Sequence, residues 1–133
     1  MTLLASRPSA EDPPRPVRVL IVDDHLLYAE ALSVLLREQN LDVVGTAGDG
    51  RQALAVAAEL RPDLVLMDIE MPLMDGITAT RWIRERLPET RVVVMTALTG
   101  GEYSEQALGA GAAACIRKFR AASDLLTAID AAL

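Results

Sequence analysis

The stretch DLVLMDIEMPLMDG, residues 63–76, decides the fold of this 133-residue chain. Its run LVLM has the length of a strand and is apolar on both faces, which is typical of a strand buried inside a sheet. The run ends on Asp68 and passes into a turn that holds two further acids, Glu70 and Asp75. A buried strand that delivers a carboxylate to its own tip indicates a site at the end of a sheet.

The rest of the chain repeats this pattern of an apolar strand followed by a helix. Further strands are predicted at VRVLIV (17–22), LDVVGTAG (41–48), RVVVMTA (91–97) and the end of GAGAAACIRK (109–118). Helices are predicted after each strand, including GRQALAVAAEL (50–60) before Pro62, one that ends at Pro88 and one near 102–108. In the first and last helices, apolar residues at helical spacing form the face expected to be buried. They are Tyr28, Ala31, Leu32, Leu35 and Leu36 in the first helix, and Leu125, Leu126, Ile129 and Leu133 in the last.

Five apolar strands that alternate with five helices predict one fold class. Parallel strands need crossover helices, which cover both faces of the sheet and bury every strand. We therefore expect a doubly wound α/β fold with a five-stranded parallel sheet and five helices. In such folds the ligand site lies outside the carboxyl ends of the strands, where the strand order reverses.

Composition and charge limit the classes of protein to which the chain can belong. It is 51% hydrophobic, enough for one buried core in a domain of this size. The net charge of -6 argues against direct binding to nucleic acid, which needs a surface rich in lysine and arginine. No apolar run approaches the roughly 18 residues of a membrane span, and the N-terminus lacks the features of a signal peptide, so we expect a cytoplasmic protein without membrane contact.

The N-terminal segment differs in composition from the rest of the chain. Residues 1–16, MTLLASRPSAEDPPRP, hold most of the prolines, with Ser, Glu, Asp and Arg between them. This composition predicts a disordered leader at 1–16, followed by a single domain at 17–133. Cys115 is the only cysteine in the sequence, which excludes an internal disulfide and a metal site built from cysteines.

Chemically useful side chains stand at the ends of four predicted strands. They are Asp23 and Asp24 after the first strand, Asp68 after the third, Thr96 after the fourth and Lys118 after the fifth. Three carboxylates in one crevice repel one another unless cations hold them. The expected cations are Lys118 and Mg²⁺, which prefers oxygen ligands and phosphate and suits a site without His or Cys ligands.

The motifs VLIVDDH, VLMDIEMPLMDG, VVVMTAL and the lysine of CIRK resemble the signatures of the receiver domain of bacterial two-component response regulators. DDH and MDIEMPLMDGI are similar to the NarL/LuxR-type branch of that family. The resemblance covers residues 17–133 and implies a flavodoxin-like, CheY-like fold. It also implies a phosphoacceptor domain that assists its own phosphorylation and dephosphorylation rather than an enzyme.

The resemblance assigns the phosphoryl chemistry to three residues. Asp68 would accept a phosphoryl group from the phosphohistidine of a sensor histidine kinase, while Thr96 and Lys118 would contact the phosphoryl oxygens. Phosphoryl transfer needs positioned groups and neutralised charge more than covalent chemistry from the protein. The charge added to Asp68 would then reorder the last helices and strand.

The resemblance also implies a magnesium site beside the phosphoacceptor. Asp24 would bind Mg²⁺ directly and Asp23 would hold one of its waters. Asp68 and the backbone carbonyl of Glu70 would complete the protein ligands.

Two other functions stay open on the sequence alone. A phosphatase of the dehalogenase type also uses an aspartate at a strand tip, but it needs a second Asp two residues later, where this chain has Glu70. A pseudo-receiver that acts only as a binding module would keep the fold without taking up phosphate.

A few residues depart from the family pattern or have ordinary interpretations. Receivers usually carry Tyr, Phe or His three residues before the strand-five lysine, where this chain has Cys115. Tyr103 or Phe119 could substitute for that aromatic ring as a hypothesis. His25 is interpreted as a local turn residue that faces solvent.

The residues of this chain do not include the effector domain that would carry out the response. The NarL/LuxR-type resemblance implies a helix-turn-helix DNA-binding domain after a linker, so any contact with DNA would come from a domain not in this chain. We expect either a truncated transcription regulator or a stand-alone receiver. A phosphorylation-dependent homodimer through the last helices and strand is a further expectation.

Overall fold

The computed structural model describes residues 15–97, 101–119 and 122–133, in which strands and helices alternate from one end to the other. The strands are β1 (Arg18–Val22), β2 (Asp42–Ala47), β3 (Leu64–Asp68), β4 (Arg91–Thr96) and β5 (Ala114–Arg117). The helices are α1 (Leu26–Glu38), α2 (Gly50–Leu60), α3 (Gly76–Arg86), α4 (Gly101–Gly109) and α5 (Ala122–Ala132). Apart from its last two residues, the predicted leader at 1–16 lies outside the described ranges. None of the helices in these ranges has the length and apolar character needed to cross a membrane.

The strands form one parallel sheet in the order β2-β1-β3-β4-β5. The strand order reverses at β1, which pairs with β2 on one side and β3 on the other. The loops after β1 and β3 therefore leave the same edge of the sheet at the point where doubly wound folds bind their ligands. The predicted fold class is confirmed.

Helices cover both faces of the sheet and create two apolar layers. One layer packs α2, α3 and α4 against the sheet, and the other packs α1 and α5. The central strands β1, β3 and β4 are buried almost throughout, as their unbroken apolar sequences require. A rigid core thus holds the strand tips in fixed relative positions.

The buried faces of the first and last helices match the predicted ones except at one residue in each prediction. In α1 the buried residues are Ala29, Leu32, Ser33 and Leu36, whereas Ala31 is exposed. Leu32 and Leu36 are buried and Tyr28 and Leu35 pack against the same layer, so Ala31 alone of the predicted stripe lies outside it. Leu133 follows the end of α5 and is exposed, so it does not belong to the core of the closing helix.

The turn after β3 is fixed by its own polar and small residues. The Asp75 carboxylate caps α3 by accepting hydrogen bonds from the backbone N–H groups of Ile77 and Thr78, both at 2.9 Å. Gly76 N–H donates to the Ile69 carbonyl at 2.9 Å. One of the two extra acids of this turn is therefore used to start a helix, and the backbone folds directly back over the tip of β3.

Candidate functional site

The structure brings the predicted strand-end residues together at one edge of the sheet. Asp23, Asp68, Thr96 and Lys118 are all buried, although each has a polar side chain. Asp24 is partly exposed, with 35% of its side chain accessible. A group of buried polar residues at the reversal point of the strand order is the arrangement that the sequence predicted.

Lys118 is paired with two carboxylates. Its Nζ lies 2.6 Å from Asp23 Oδ2 and 3.4 Å from Asp68 Oδ2. Burial lowers the pKa of Lys118, but the close contact with Asp23 and the charges of Asp68 and Asp23 outweigh it, so the net pKa is raised. Lys118 is therefore a fixed positive charge that links the end of β5 to the ends of β1 and β3.

The surroundings of Asp68 disfavour its ionised form. It is 1% exposed, and burial together with the charge of Asp23 raises its pKa from 3.8 to about 6, against the opposing effect of Lys118. The Glu70 N–H donates to Asp68 Oδ1 at 3.3 Å. At neutral pH the carboxylate is largely ionised and gains from any further positive charge brought close to it.

Two buried oxygens at this site lack a hydrogen bond of acceptable geometry from the described residues. They are Asp23 Oδ2 and Asp68 Oδ2. The short distances from both to Lys118 Nζ still make charge pairing strong, because Coulomb attraction does not depend on the approach angle. Buried carboxylate oxygens with free lone pairs fit a bound cation.

Thr96 and Glu70 flank this pair of acids. Thr96 is the last residue of β4, and its carbonyl accepts a hydrogen bond from Lys118 N–H at 2.8 Å. Its side chain is 4% exposed. Glu70 is exposed in the turn after β3, so its side chain faces solvent while its backbone stays next to Asp68.

His25 also belongs to this cluster, which the sequence interpretation missed. As expected, it lies at the start of a helix, where it is the N-cap of α1, and 65% of its side chain is exposed. Its Nδ1, however, lies 3.1 Å from Asp23 Oδ1 and 3.2 Å from Asp24 Oδ1. A ring nitrogen thus lies among the carboxylates, and the expected set of oxygen ligands stays a prediction. In the sequence, His25 directly follows Asp23 and Asp24 at the end of a predicted strand, and this order could have indicated that it lies near the acids.

The cluster contains enough donor atoms for a metal ion. Asp23, Asp24, His25 and Asp68 each offer one ligand atom, and these atoms all lie within 4.8 Å of one another. Carboxylate oxygens with free lone pairs are the donors that a divalent cation prefers, and Mg²⁺ is among the ions that they suit. The residues present thus fit a divalent metal.

Two aromatic rings lie beside Lys118. The rings of Tyr28 and Phe119 pack edge to face with centroids 5.2 Å apart, and Lys118 Nζ lies 4.6 Å from the Tyr28 centroid. Phe119 is 75% exposed, with a backbone φ of 64°. Tyr103 lies in α4, where it is partly buried and packs against the core. The hypothesis that Tyr103 or Phe119 replaces the usual aromatic readout stays a prediction.

Comparison with known proteins agrees with this geometry. The family model described as the response regulator receiver domain matches residues 19–130. The transcriptional regulatory protein PdtaR of Mycobacterium tuberculosis is 42% identical over 118 residues, which make up 89% of this chain and 57% of that protein. The chain thus spans little more than half the length of this curated relative.

Solved structures give the same result. The signal receiver domain of the putative response regulator NarL from Mycobacterium tuberculosis superposes with a TM-score of 0.82 at 34% identity, over 87% of this chain and 94% of that one. A chain of the CheX-CheY-BeF3-Mg+2 complex from Borrelia burgdorferi superposes with a TM-score of 0.82 at 31% identity, over 86% of this chain and 87% of that one. The chain described here therefore belongs to the response regulator receiver domain family of two-component signal transduction, with NarL/LuxR-type regulators among its structural neighbours.

Proposed function

We propose that this chain is a phosphorylation switch in which Asp68 accepts a phosphoryl group from the phosphohistidine of a sensor histidine kinase. The observation that supports this proposal most strongly is the setting of Asp68: a buried carboxylate at a strand tip, 3.4 Å from the ammonium of Lys118. A carboxylate that is ionised, oriented and partly neutralised is suited to attack phosphorus.

The chain's own residues account for most of the transfer step. One oxygen of Asp68 bonds to phosphorus as the bond from phosphorus to the kinase imidazole nitrogen breaks, and the nitrogen leaves with that electron pair. Lys118 compensates the negative charge that gathers on the phosphoryl oxygens, because it is held at the site by Asp23. Thr96, buried at the end of β4, would supply a hydroxyl donor to one of these oxygens.

A divalent metal is proposed as the second source of positive charge. Asp24 and Asp68 would bind Mg²⁺, with Asp23 holding one of its waters and Glu70 contributing its backbone carbonyl. When bound, the ion would neutralise charge between the acids and the phosphoryl group. The buried acids Asp23 and Asp68 share the single ammonium of Lys118, which leaves negative charge for a further cation and supports this assignment. The similar CheY structure, which was solved as a complex with BeF3 and Mg, supports it as well.

The proposed consequence of phosphorylation is a change at the ends of β4 and β5. Thr96 and Lys118 are joined by a backbone hydrogen bond, so movement of either side chain toward a phosphoryl group would displace both strand ends. The surface formed by α4, β5 and α5 would then change its binding properties, including any homodimer formed there. Control of transcription would follow through a separate DNA-binding domain in a cytoplasmic regulator.

The experiment that tests this function is intact mass spectrometry after incubation with acetyl phosphate, with and without Mg²⁺. Wild type should gain one phosphoryl group only when Mg²⁺ is present, and Asp68→Asn should gain none. Asp75→Asn is a matched control, since this acid lies in the same turn but caps α3. Unchanged mass in a folded wild type with Mg²⁺ would refute the proposal and favour a binding module.

A further inference from the structure

His25 is the sole histidine of the sequence, and its ring nitrogen faces the acidic cluster. Nδ1 lies within 3.2 Å of a carboxylate oxygen of Asp23 and of Asp24, and 4.0 Å from Asp68 Oδ2. It also lies 3.5 Å from Lys118 Nζ. This nitrogen is therefore close to every acid of the site.

The local backbone holds the ring at this location. The His25 N–H donates to Asp23 Oδ1 at 2.8 Å, which folds the chain sharply between β1 and α1. Although His25 is the N-cap of α1, its side chain makes no capping hydrogen bond. The imidazole is thus not needed to start the helix, and its exposed edge leaves the cluster open to ions from solvent.

An independent observation indicates that the cluster is built for a cation. Asp23 Oδ2 and Asp68 Oδ2 are buried without a hydrogen bond of acceptable geometry from the described part of the chain. Both side chains are at least 99% buried. Lys118 Nζ pairs with both oxygens, so these two buried acids share one ammonium and gain from a further cation.

We propose that His25 Nδ1 is a metal ligand that makes the site favour a divalent transition ion, such as Co²⁺, Mn²⁺ or Zn²⁺, over Mg²⁺. Mg²⁺ gains little from a nitrogen donor because it prefers oxygen, whereas imidazole binds transition ions well. Neutral imidazole supplies the Nδ1 lone pair, and Nε2 keeps its hydrogen toward solvent. The inference rests on the metal site of the proposed function and adds a nitrogen ligand to it.

The test compares Co²⁺ and Mg²⁺ binding by calorimetry in protein without a histidine tag. His25→Asn is the informative variant, because Asn is a good N-cap and removes only the imidazole. We expect Co²⁺ affinity to fall roughly tenfold or more, since even partners of metal ligands contribute that much. Mg²⁺ affinity should stay within about twofold because its ligands are oxygens.

A spectroscopic readout identifies the ligand directly. With Zn²⁺ added, the Nδ1 resonance of the single imidazole should shift strongly in wild type, and more than the Nε2 resonance. Equal losses of Co²⁺ and Mg²⁺ affinity in His25→Asn, or no loss of Co²⁺ affinity, would overturn the inference. If Asp24→Asn lowers the affinity for both ions while His25→Asn alters neither affinity, the acidic metal site of the proposed function stands and only the nitrogen ligand is refuted.

Discussion

The ammonium of Lys118 lies 2.6 Å from the carboxylate of Asp23, and both side chains are almost completely buried. The pair joins the ends of two strands that are separated in the sheet by β3 and β4. Taking two charges out of water is costly, so the pair is retained only where close contact offsets that cost. The three strand tips around Asp68 are thus held together by charge.

Replacement of Lys118 by Met should destabilise the metal-free fold by about 3 to 5 kcal/mol at pH 8, because two buried carboxylates lose their cation. The loss should shrink toward pH 5, where Asp68 becomes protonated. Urea unfolding at both pH values measures the change. Arg117→Met is the control, since this exposed neighbour should alter the free energy of unfolding by less than about 0.5 kcal/mol. Equal losses in the two variants would contradict the account.

Asp68→Asn should stabilise the metal-free protein by about 1 to 3 kcal/mol at pH 8. The pKa of Asp68 is raised from 3.8 to about 6 in the folded state, so ionisation above pH 6 disfavours folding. The gain from Asn should therefore decrease as the pH falls through 6 and vanish near pH 4. Thermal unfolding across this range measures the trend. A gain that grows toward low pH would be inconsistent with the raised pKa.

Gly76→Ala should destabilise the fold by about 2 kcal/mol or more through overpacking against fixed backbone. A Cβ at this residue would overlap the carbonyl of Asp68 and lie 2.9 Å from Ile69 Cα. Gly109→Ala is the matched control, because a Cβ there would meet no described residue within 4 Å beyond its chain neighbours and its own helix backbone. Chemical denaturation compares the two, and equal stability of both variants would show that the turn after β3 can relax.

Cys115 should react slowly with iodoacetamide in the folded state. Burial raises its pKa, and a hydrogen bond with Ser104 offsets this effect only in part. The rate at pH 8 should be at least about tenfold below the rate in urea, because the thiolate is the reactive form. Because Cys115 is the single cysteine of the chain, intact mass spectrometry measures its alkylation without signals from other thiols. A rate equal to that in urea would indicate an exposed thiolate.

Much of the architecture could be predicted because strand burial and helix ends depend on local sequence. The unbroken apolar runs of β1, β3 and β4 predicted a parallel sheet, and Pro62 and Pro88 follow the ends of α2 and α3, each after one capping residue. The convergence of Asp23, Asp68 and Lys118 followed from the rule that parallel strands end at one edge.

Other features depend on three-dimensional contacts that no spacing reveals. The orientation of the His25 ring comes from a sharp turn in which its own N–H bonds to Asp23. The burial of Ala29 and Ser33 in α1, with Ala31 exposed, depends on how the helix meets the sheet. The contact of Phe119 with Tyr28 needs a left-handed backbone at a residue where sequence alone does not favour one.

The account is tested most directly by locating the phosphoryl group on the chain. The protein is incubated with acetyl phosphate and Mg²⁺, reduced with borohydride, which converts an acyl phosphate of Asp to homoserine, and digested for peptide mass spectrometry. The account predicts homoserine at residue 68 and unmodified acids at 23, 24 and 75. Modification at any of these three residues, or at none of the four, would contradict the claim that Asp68 is the phosphoacceptor.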